Sequence, residues 1–398
     1  MRVAFLFNHA VPHQVPHAAP FAFVLSRDCP QIEVVIACST PEELALAREI
    51  AALYPGHRCR LEMLALPRYL ERLDPLISLW SFHRKQAVLR HNLEFFRGLD
   101  ALVSPEVHCV QLRRQPGLAN LRLIRVRHGA GDREGVFDER LRAFDFMLLP
   151  GQKYVDRLRG LGLLPEGGHA LAGYPKFEVI EGFNRPVPRL FENDRPVVLY
   201  NPHFDAAQSS WQTMGLQVLD SFAAHPEYNL IFAPHLVLFK RRLRHRAFLP
   251  RRYRRVPNIH VDLGSNASVD MSYLRAADIY LGDVSSQVYE FLQQPRPCVF
   301  LNAHAVDWTD NRAYAHWHLG QVVDRVEPDL HLALQQAGAA QERYRARQEQ
   351  AFAYTFYHEP GVSAAELGAR AIAAFLARTG AVTGREEGLA TGSEDRPR

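Results

Sequence analysis

Asp283-Val284-Ser285-Ser286 stands between a short apolar run, residues 279–281, and a helical pattern with Val288, Phe291 and Leu292 on its buried face. Pro295 and Pro297 end that pattern before a strand at 298–301. Strand, polar turn, helix and strand in this order make a βαβ unit. Amides at a helix start have no intrahelical partner and lie at the positive end of the helix dipole. Ser285 and Ser286, with Asp283 beside them, can therefore seat a phosphate, and the same residues taken alone equally suit a helix cap. Other polar turns also follow strands: Asn8-His9, His128-Gly129, Asn201-Pro202-His203 and Pro234-His235. An imidazole titrates near neutrality, which suits His128 to take a proton from a hydroxyl, while Gly129 allows close approach of backbone and ligand. His235 can donate to a diphosphate, and His203 is a further candidate contact.

Two more clusters have residue types that do chemistry. His9, His13 and His17 alternate with Pro12, Pro16 and Pro20 after the first strand. The prolines argue against a regular helix there, so the segment reads as a loop, with His9 and His13 as candidate acceptor contacts and no metal expected. Trp308, Tyr314, His316, Trp317 and His318 follow the strand at 298–301 and suit either packing or stacking on a base. Gly173-Tyr174-Pro175 reads as a turn, with Tyr174 a candidate ligand contact.

Elements that could position these residues follow from the apolar pattern. Runs at 3–7, 33–37, 101–104, 123–126 and 146–149 read as strands, with helical patterns at 41–53, 79–96 and 153–161 between them. A second series at 197–200, 230–233, 259–261, 279–281 and 299–301 repeats the alternation, which predicts two parallel sheets covered by helices. The expected division is an acceptor-side domain over 1–180, a proline-containing linker over 181–196 and a nucleotide-donor domain over 197–360. A final helix over 361–378 and a disordered, Gly- and charge-rich tail over 379–398 complete it. Ligands of open α/β sheets bind beyond the carboxyl ends of the strands, which is where the polar turns stand.

With 398 residues, 47% of them apolar and 23% charged, the chain has the composition of a two-domain globular protein. It has no apolar run of the ~20 residues that would cross a bilayer and no signal-peptide pattern, so a cytoplasmic location is expected. The 5 cysteines lack metal or redox spacing and read as reduced thiols. A net charge of +4 hides an uneven distribution, because Lys240-Arg-Arg-Leu-Arg-His-Arg246 and Arg251-Arg-Tyr-Arg-Arg255 are strongly basic. This run suits a solvated surface, an anionic substrate or the anionic inner face of a membrane. No nucleic-acid motif accompanies it, and no nucleic-acid partner is expected.

The block from Val269 to Leu292 resembles the C-terminal block of the CDP-glycerol glycerophosphotransferase family, the teichoic-acid polymerases and primases. Arg127-His128-Gly129, Gly173-Tyr174-Pro175, Tyr200-Asn-Pro-His203, Ala233-Pro234-His235 and Glu359-Pro360-Gly361-Val362-Ser363 resemble further family motifs in the same order. The resemblance spans residues 125–378, while the first 120 residues match in general architecture. Departures are Asp283-Val284 for Asp-Tyr, His203 for a threonine, and Leu236 where the family has proline after histidine. The resemblance implies an α/β protein of the GT-B class, two Rossmann-like domains facing an interdomain cleft. It implies catalytic roles for His128 and His235 and donor-phosphate binding by Ser285 and Ser286. The expected reaction moves glycerol phosphate or a similar polyol phosphate from a CDP-activated donor to a hydroxyl acceptor, lipid-linked or polysaccharide, with no further cofactor required. The same architecture also serves nucleotide-sugar glycosyltransferases, sugar-nucleotide epimerases and non-catalytic binding proteins.

Overall fold

The computed structural model describes residues 1–9, 11–67, 83–132, 137–165, 168–240 and 245–390. The chain divides into two units, each with its own sheet. The first comprises Met1–His128, Asp138–Phe183 and Phe356–Arg398, and the second Gly129–Phe137 and Asn184–Thr355.

The first unit has a wholly parallel sheet of β1 (Arg2–Phe7), β2 (Glu33–Cys38), β3 (Arg60–Met63), β4 (Ala101–Ser104), β5 (Arg122–Val126), β6 (Phe146–Leu149) and β7 (His169–Leu171). Their order is β3-β2-β1-β4-β5-β6-β7, so the winding reverses between β1 and β4. Central strands read as continuous apolar runs because helices cover both faces of a parallel sheet. The helices here are α1 (Val15–Asp28), α2 (Pro41–Ala51), α3 (His83–His91), α4 (Leu93–Arg97), α5 (Gln152–Gly160) and α6 (Lys176–Phe183). The second unit has β8 (Val197–Asn201), β9 (Asn229–Phe232), β10 (Ile259–Val261), β11 (Ile279–Gly282), β12 (Cys298–Leu301) and β13 (Gln321–Val323), again all parallel. Their order β10-β9-β8-β11-β12-β13 reverses between β8 and β11. Its helices are α7 (Trp211–Ala224), α8 (Leu236–Lys240), α9 (Ser272–Ala276), α10 (Gln287–Phe291) and α11 (His331–Thr355), after which α12 (Ala364–Ala390) belongs to the first unit again.

Three differences from the sequence reading have physical causes. The segment expected to be a loop at Pro12–Gln14 is a 3-10 turn leading into α1. Pro16 lies in the first turn of α1, where no intrahelical N–H is needed, and Pro20 sits inside it. Burial of α1 on nearly every side overrides the propensity cost. Its Phe21 lies so close to Gly368 of α12 that a Cβ there would come within 2.3 Å of the ring. Second, α12 continues past 378 to Ala390, since the segment beyond Thr379 contains no proline before that point and isolated glycines cost only about 1 kcal/mol each. Third, the units are not contiguous in sequence: 129–137 joins the second unit and the last helix joins the first, packing α12 on α1. Positions 79–82 of the expected helix 79–96, 241–244 of the basic run and 391–398 of the tail lie outside the described residues.

All five cysteines are free, and burial pushes the Cys59 and Cys109 thiols up to about 12. They are inert packing groups at neutral pH.

Candidate functional site

In the first unit, β1 delivers Asn8-His9 and β4 delivers Ser104-Pro105-Glu106 at the point where the winding reverses, and β5, beside β4, delivers Arg127-His128. His9 is fixed from its backbone. Its N–H donates to Glu43 Oε1 at 2.9 Å, and Glu43 is also the capping-box residue of α2.

Glu106 organises the centre. Gln14 Nε2 donates to its Oε1 at 2.6 Å, Lys85 Nζ donates to its Oε2 at 2.9 Å, and His108 Nδ1 lies 3.3 Å from Oε2. His9 Nε2 is 3.6 Å from Oε1. Burial pushes the Glu106 carboxyl up, but the His108 hydrogen bond and the Lys85 charge outweigh it and hold the group well below the usual carboxylate range. The second hydrogen of Gln14 Nε2 points to His128 Nε2 at 3.1 Å. Because the Glu106 carboxylate can only accept, the Gln14 amide nitrogen must face it. His128 Nε2 then accepts, and the proton of the neutral ring sits on Nδ1.

His13 and His17 stand one helical turn apart near the same ring, with centroids 5.9 Å and 6.4 Å from that of His128, and His9 lies 4.5 Å from His13. The histidines thus form a packed cluster instead of a solvent-facing loop. Tyr174, 4% exposed, packs against His17, Phe177 and Phe356, so it supports the cluster from behind instead of offering a ligand surface. Burial, reinforced by the Arg125 charge, lowers His128 to about 3, and burial with the Lys176 charge holds His17 well below its usual value. This corrects the expectation of a near-neutral His128: the ring stays unprotonated far into acid. Among the described residues, His128 Nδ1, His17 Nδ1 and Gln14 Oε1 are buried without a hydrogen-bond partner. Buried polar atoms are rarely left so, and these gather around one ring.

The second unit is arranged differently. β8 and β11 are paired, Asn201 against Gly282, and the turns following them meet. Asp283, 1% exposed, accepts from His203 N at 2.9 Å, Ser210 N at 2.6 Å, Ser210 Oγ at 2.8 Å and Val284 N at 2.6 Å. Burial pushes its carboxyl up against the pull of these hydrogen bonds. Its own carbonyl accepts from Trp317 Nε1 at 2.8 Å and lies 2.9 Å from His316 Nε2. Asp283 was expected at the phosphate, but a carboxylate already filled with donors and carrying negative charge does not bind one; here it fixes the loops. Trp317 and His316 likewise pack and brace.

Ser285 Oγ donates to Asn201 Oδ1 at 2.8 Å, and Asn201 Nδ2 donates to the Ala233 carbonyl at 2.6 Å, tying the ends of β8, β9 and β11 together. Ser286 is the half-buried N-cap residue of α10 and makes no capping hydrogen bond. Because α10 has only 5 residues, its dipole adds little, and a phosphate seat here rests on hydroxyls and turn amides. Gly129, at φ +73°, and Gly131 press against Ser286, where a Cβ would lie 3.6 Å from Ser286 Oγ and 3.3 Å from Ser286 Cβ respectively. The following Asp132 accepts from Tyr289 OH at 2.6 Å and lies 3.3 Å from His316 Nδ1. His235 Nδ1 accepts from Val237 N at 3.2 Å, and His203 Nδ1 from Asp205 N at 3.1 Å, which puts the proton of each neutral ring on Nε2. Their rings are 5.3 Å apart. Both are therefore donors at Nε2, the form that suits a phosphate oxygen.

The structure gathers His9, His13, His17 and His128 in one unit and His203, His235, Ser285 and Ser286 at the strand ends of the other. The sequence reading passed over Glu106, Gln14, Lys85, Asn201 as a linker of strand ends, and Asp132. Glu106 could have been found by the rule that picked the others, since Ser104-Pro105-Glu106 follows a strand; Lys85 carries no local signal. The described residues with metal-ligand spacing are His225, Glu227 and His331, which stand at the opposite, N-terminal end of β9.

No family model and no curated protein matches the chain. Among solved structures, its fold is similar to a soaked variant of the wall teichoic acid polymerase TagF, described as TagF with CDPG. The identity is 14%, the TM-score 0.60, and the coverage 95% of this chain and 89% of that one. It is also similar to a putative UDP-N-acetylglucosamine 2-epimerase from Listeria monocytogenes, at 12% identity and TM-score 0.56 over 95% and 96% of the two chains. The UDP-GlcNAc 2-epimerase from Neisseria meningitidis bound to UDP-GlcNAc gives 12% identity and TM-score 0.53 over 95% and 100%. These likenesses establish an α/β fold of the two-domain GT-B class.

Proposed function

We propose that the chain is a transferase that moves glycerol phosphate, or a similar polyol phosphate, from a CDP-activated donor to a hydroxyl of a lipid-linked or polysaccharide acceptor in cell-surface polymer synthesis. The observation that carries this reading is the position of every candidate group at the C-terminal ends of its sheet, with a neutral histidine whose Nε2 is an acceptor in one unit and histidines with Nε2–H donors, together with a serine turn, in the other. The order of motifs around them supports the transferred group, as does the likeness to a polymerase soaked with CDPG.

In this reading the acceptor oxygen attacks the β-phosphorus of the donor, the new O–P bond forms as the P–O bond to CMP breaks, and the acceptor proton goes to His128. A substrate hydroxyl would take the place of the Gln14 amide at His128 Nε2, with the unpartnered Gln14 Oε1 beside it as a second acceptor. Imidazolium formed at this site would be opposed by Arg125 and favoured by Glu106 and by the charge of the bound donor. His235, Ser285 and Ser286 would donate to the diphosphate. No cofactor enters the scheme.

The likeness to UDP-GlcNAc 2-epimerases favours one alternative, a sugar-nucleotide enzyme using the same elements. Incubation with CDP-glycerol, CDP-ribitol or UDP-GlcNAc separates them. Release of CMP with a new phosphodiester supports the transferase; an epimerised sugar nucleotide, or a glycoside with free nucleoside diphosphate, replaces it. Binding without turnover of any donor on supplied acceptors would point to a binding protein.

A further inference from the structure

We propose that the second unit carries a membrane-docking surface at residues 246–255, which inserts Phe248 into a bilayer while Arg246, Arg251, Arg254 and Arg255 meet anionic lipid headgroups. Phe248 is 73% exposed, whereas no other exposed large apolar side chain among the described residues exceeds 51%. Its position is imposed from both sides. Ala247 is in the hydrophobic core and Leu249 packs against it, so in this non-helical stretch the residue between them points outward.

Immediately after Pro250, Arg251–Arg255 forms a 3-10 turn. Residues three apart share a face in such a turn, so Arg251 aligns with Arg254 and Arg252 with Arg255, and the remaining direction belongs to Tyr253. Tyr253 is buried, and its hydroxyl donates to Asp220 Oδ1 at 2.8 Å, which pins the turn with its arginines outward. Arg252 is committed to the same Asp220 oxygen at 2.8 Å. Arg246, Arg251, Arg254 and Arg255 are exposed and make no ion pair with any described residue.

Four exposed guanidinium groups of one sign therefore flank a protruding phenyl ring along the chain, three of them on a turn anchored by Tyr253. A solvated face would be expected to carry mixed charges and no bare aromatic ring, and nucleic acid would be expected to meet a groove lined by several stacking rings. A bilayer with anionic headgroups matches both parts, because its interface takes an aromatic wedge and its surface potential attracts each arginine independently. This inference stands apart from the choice of donor and would hold whichever nucleotide-linked substrate the chain uses.

The test is co-sedimentation of the full chain with vesicles of phosphatidylcholine alone or containing about one-third phosphatidylglycerol, at low and raised salt. Binding to the anionic vesicles is expected, weakening as salt screens the charges. Each of Arg251→Glu, Arg254→Glu and Arg255→Glu should reduce it by fivefold or more, since one arginine near such a surface is worth about fivefold. Phe248→Ser should weaken binding without changing its salt dependence, and Phe248→Trp should show blue-shifted fluorescence on anionic vesicles. Arg343→Glu and Arg347→Glu, each made singly at an exposed position of α11, are the charge-matched controls and should bind normally. Absence of binding to anionic vesicles overturns the proposal. So does equal loss in the α11 controls, equal binding to phosphatidylcholine alone, or retention on an RNA oligomer with none on vesicles.

Discussion

The polar centres of the two units solve opposite problems. Around Asp283 every strong acceptor has its donors: backbone amides of His203, Ser210 and Val284, the Ser210 hydroxyl, and the paired ring nitrogens of His316 and Trp317 on the carbonyl. Around Glu106 the carboxylate is satisfied by Gln14 and Lys85, yet the ring it positions is left with a buried Nδ1–H and neighbouring atoms at Gln14 and His17 that have no partner among the described residues. A saturated network rigidifies a loop, whereas an incomplete one stores unmet hydrogen-bonding capacity that a ligand can meet. The first kind suits holding a substrate in place, the second acting on it.

Substitutions can break this contrast, beginning with the largest effect. His128→Ala should lower turnover by roughly 10² to 10⁴ with donor affinity little changed, as measured by initial rates and calorimetry. Near-normal turnover on the true substrate would remove His128 from the chemistry. Glu106→Gln should cost about 3–5 kcal/mol in urea unfolding, because Lys85, with a side chain 7% exposed, loses the anion that compensates its burial. An unfolding midpoint equal to the parent's would show that the centre relaxes. In the second unit Asp283→Asn should destabilise by about 1–3 kcal/mol, since both oxygens face only donors and an amide nitrogen must meet one of them. It should also weaken donor binding through the displaced serine turn; intact donor affinity would separate that turn from the site. Ser286→Ala removes a hydroxyl that makes no capping bond, so the fold should be unchanged while donor affinity falls by about 1.5–3 kcal/mol.

The last effect concerns pH and grows gradually with acidity. His17 and His128 have folded values below their usual 6.5, so the unfolded chain binds more protons. Their contribution to stability is present above pH 6.5 and is lost progressively as pH falls below it, toward about 3 for His128. Thermal melts should show this loss, and His17→Gln should make it shallower. An unchanged slope would mean that His17 is not held neutral by the fold. If His128 acts as the base, as proposed, the same shift predicts that the ligand-free protein loses no base by protonation between pH 7 and 5, unlike one relying on an ordinary histidine.

Strands β4, β6 and β10 coincide with the apolar runs in the sequence, and the other strands with such runs agree to within a residue at either end. The three strands without a legible run, β3, β7 and β13, are all at sheet edges. Arg60–Met63, His169–Leu171 and Gln321–Val323 are partly exposed and need no continuous apolar pattern. Helix α1 was hidden for another reason. Its prolines are local signals against a helix, and burial against α12, far away in sequence, outweighs them.

By itself the sequence determined two α/β halves and the polar turns that end their strands, because apolar periodicity and turn chemistry act over a few residues. Only the tertiary structure decided that Asp283 braces loops, that Tyr174 supports His17, and that Glu106, through Gln14, sets the tautomer of His128. The reason is physical: a carboxylate's role depends on which donors reach it, and a histidine's pKa depends on how much water it loses and which charges surround it. Lys85, Glu106 and His128 are separated in the chain and meet only when β4 and β5 pair and α3 folds over their ends, so no local pattern could contain their chemistry.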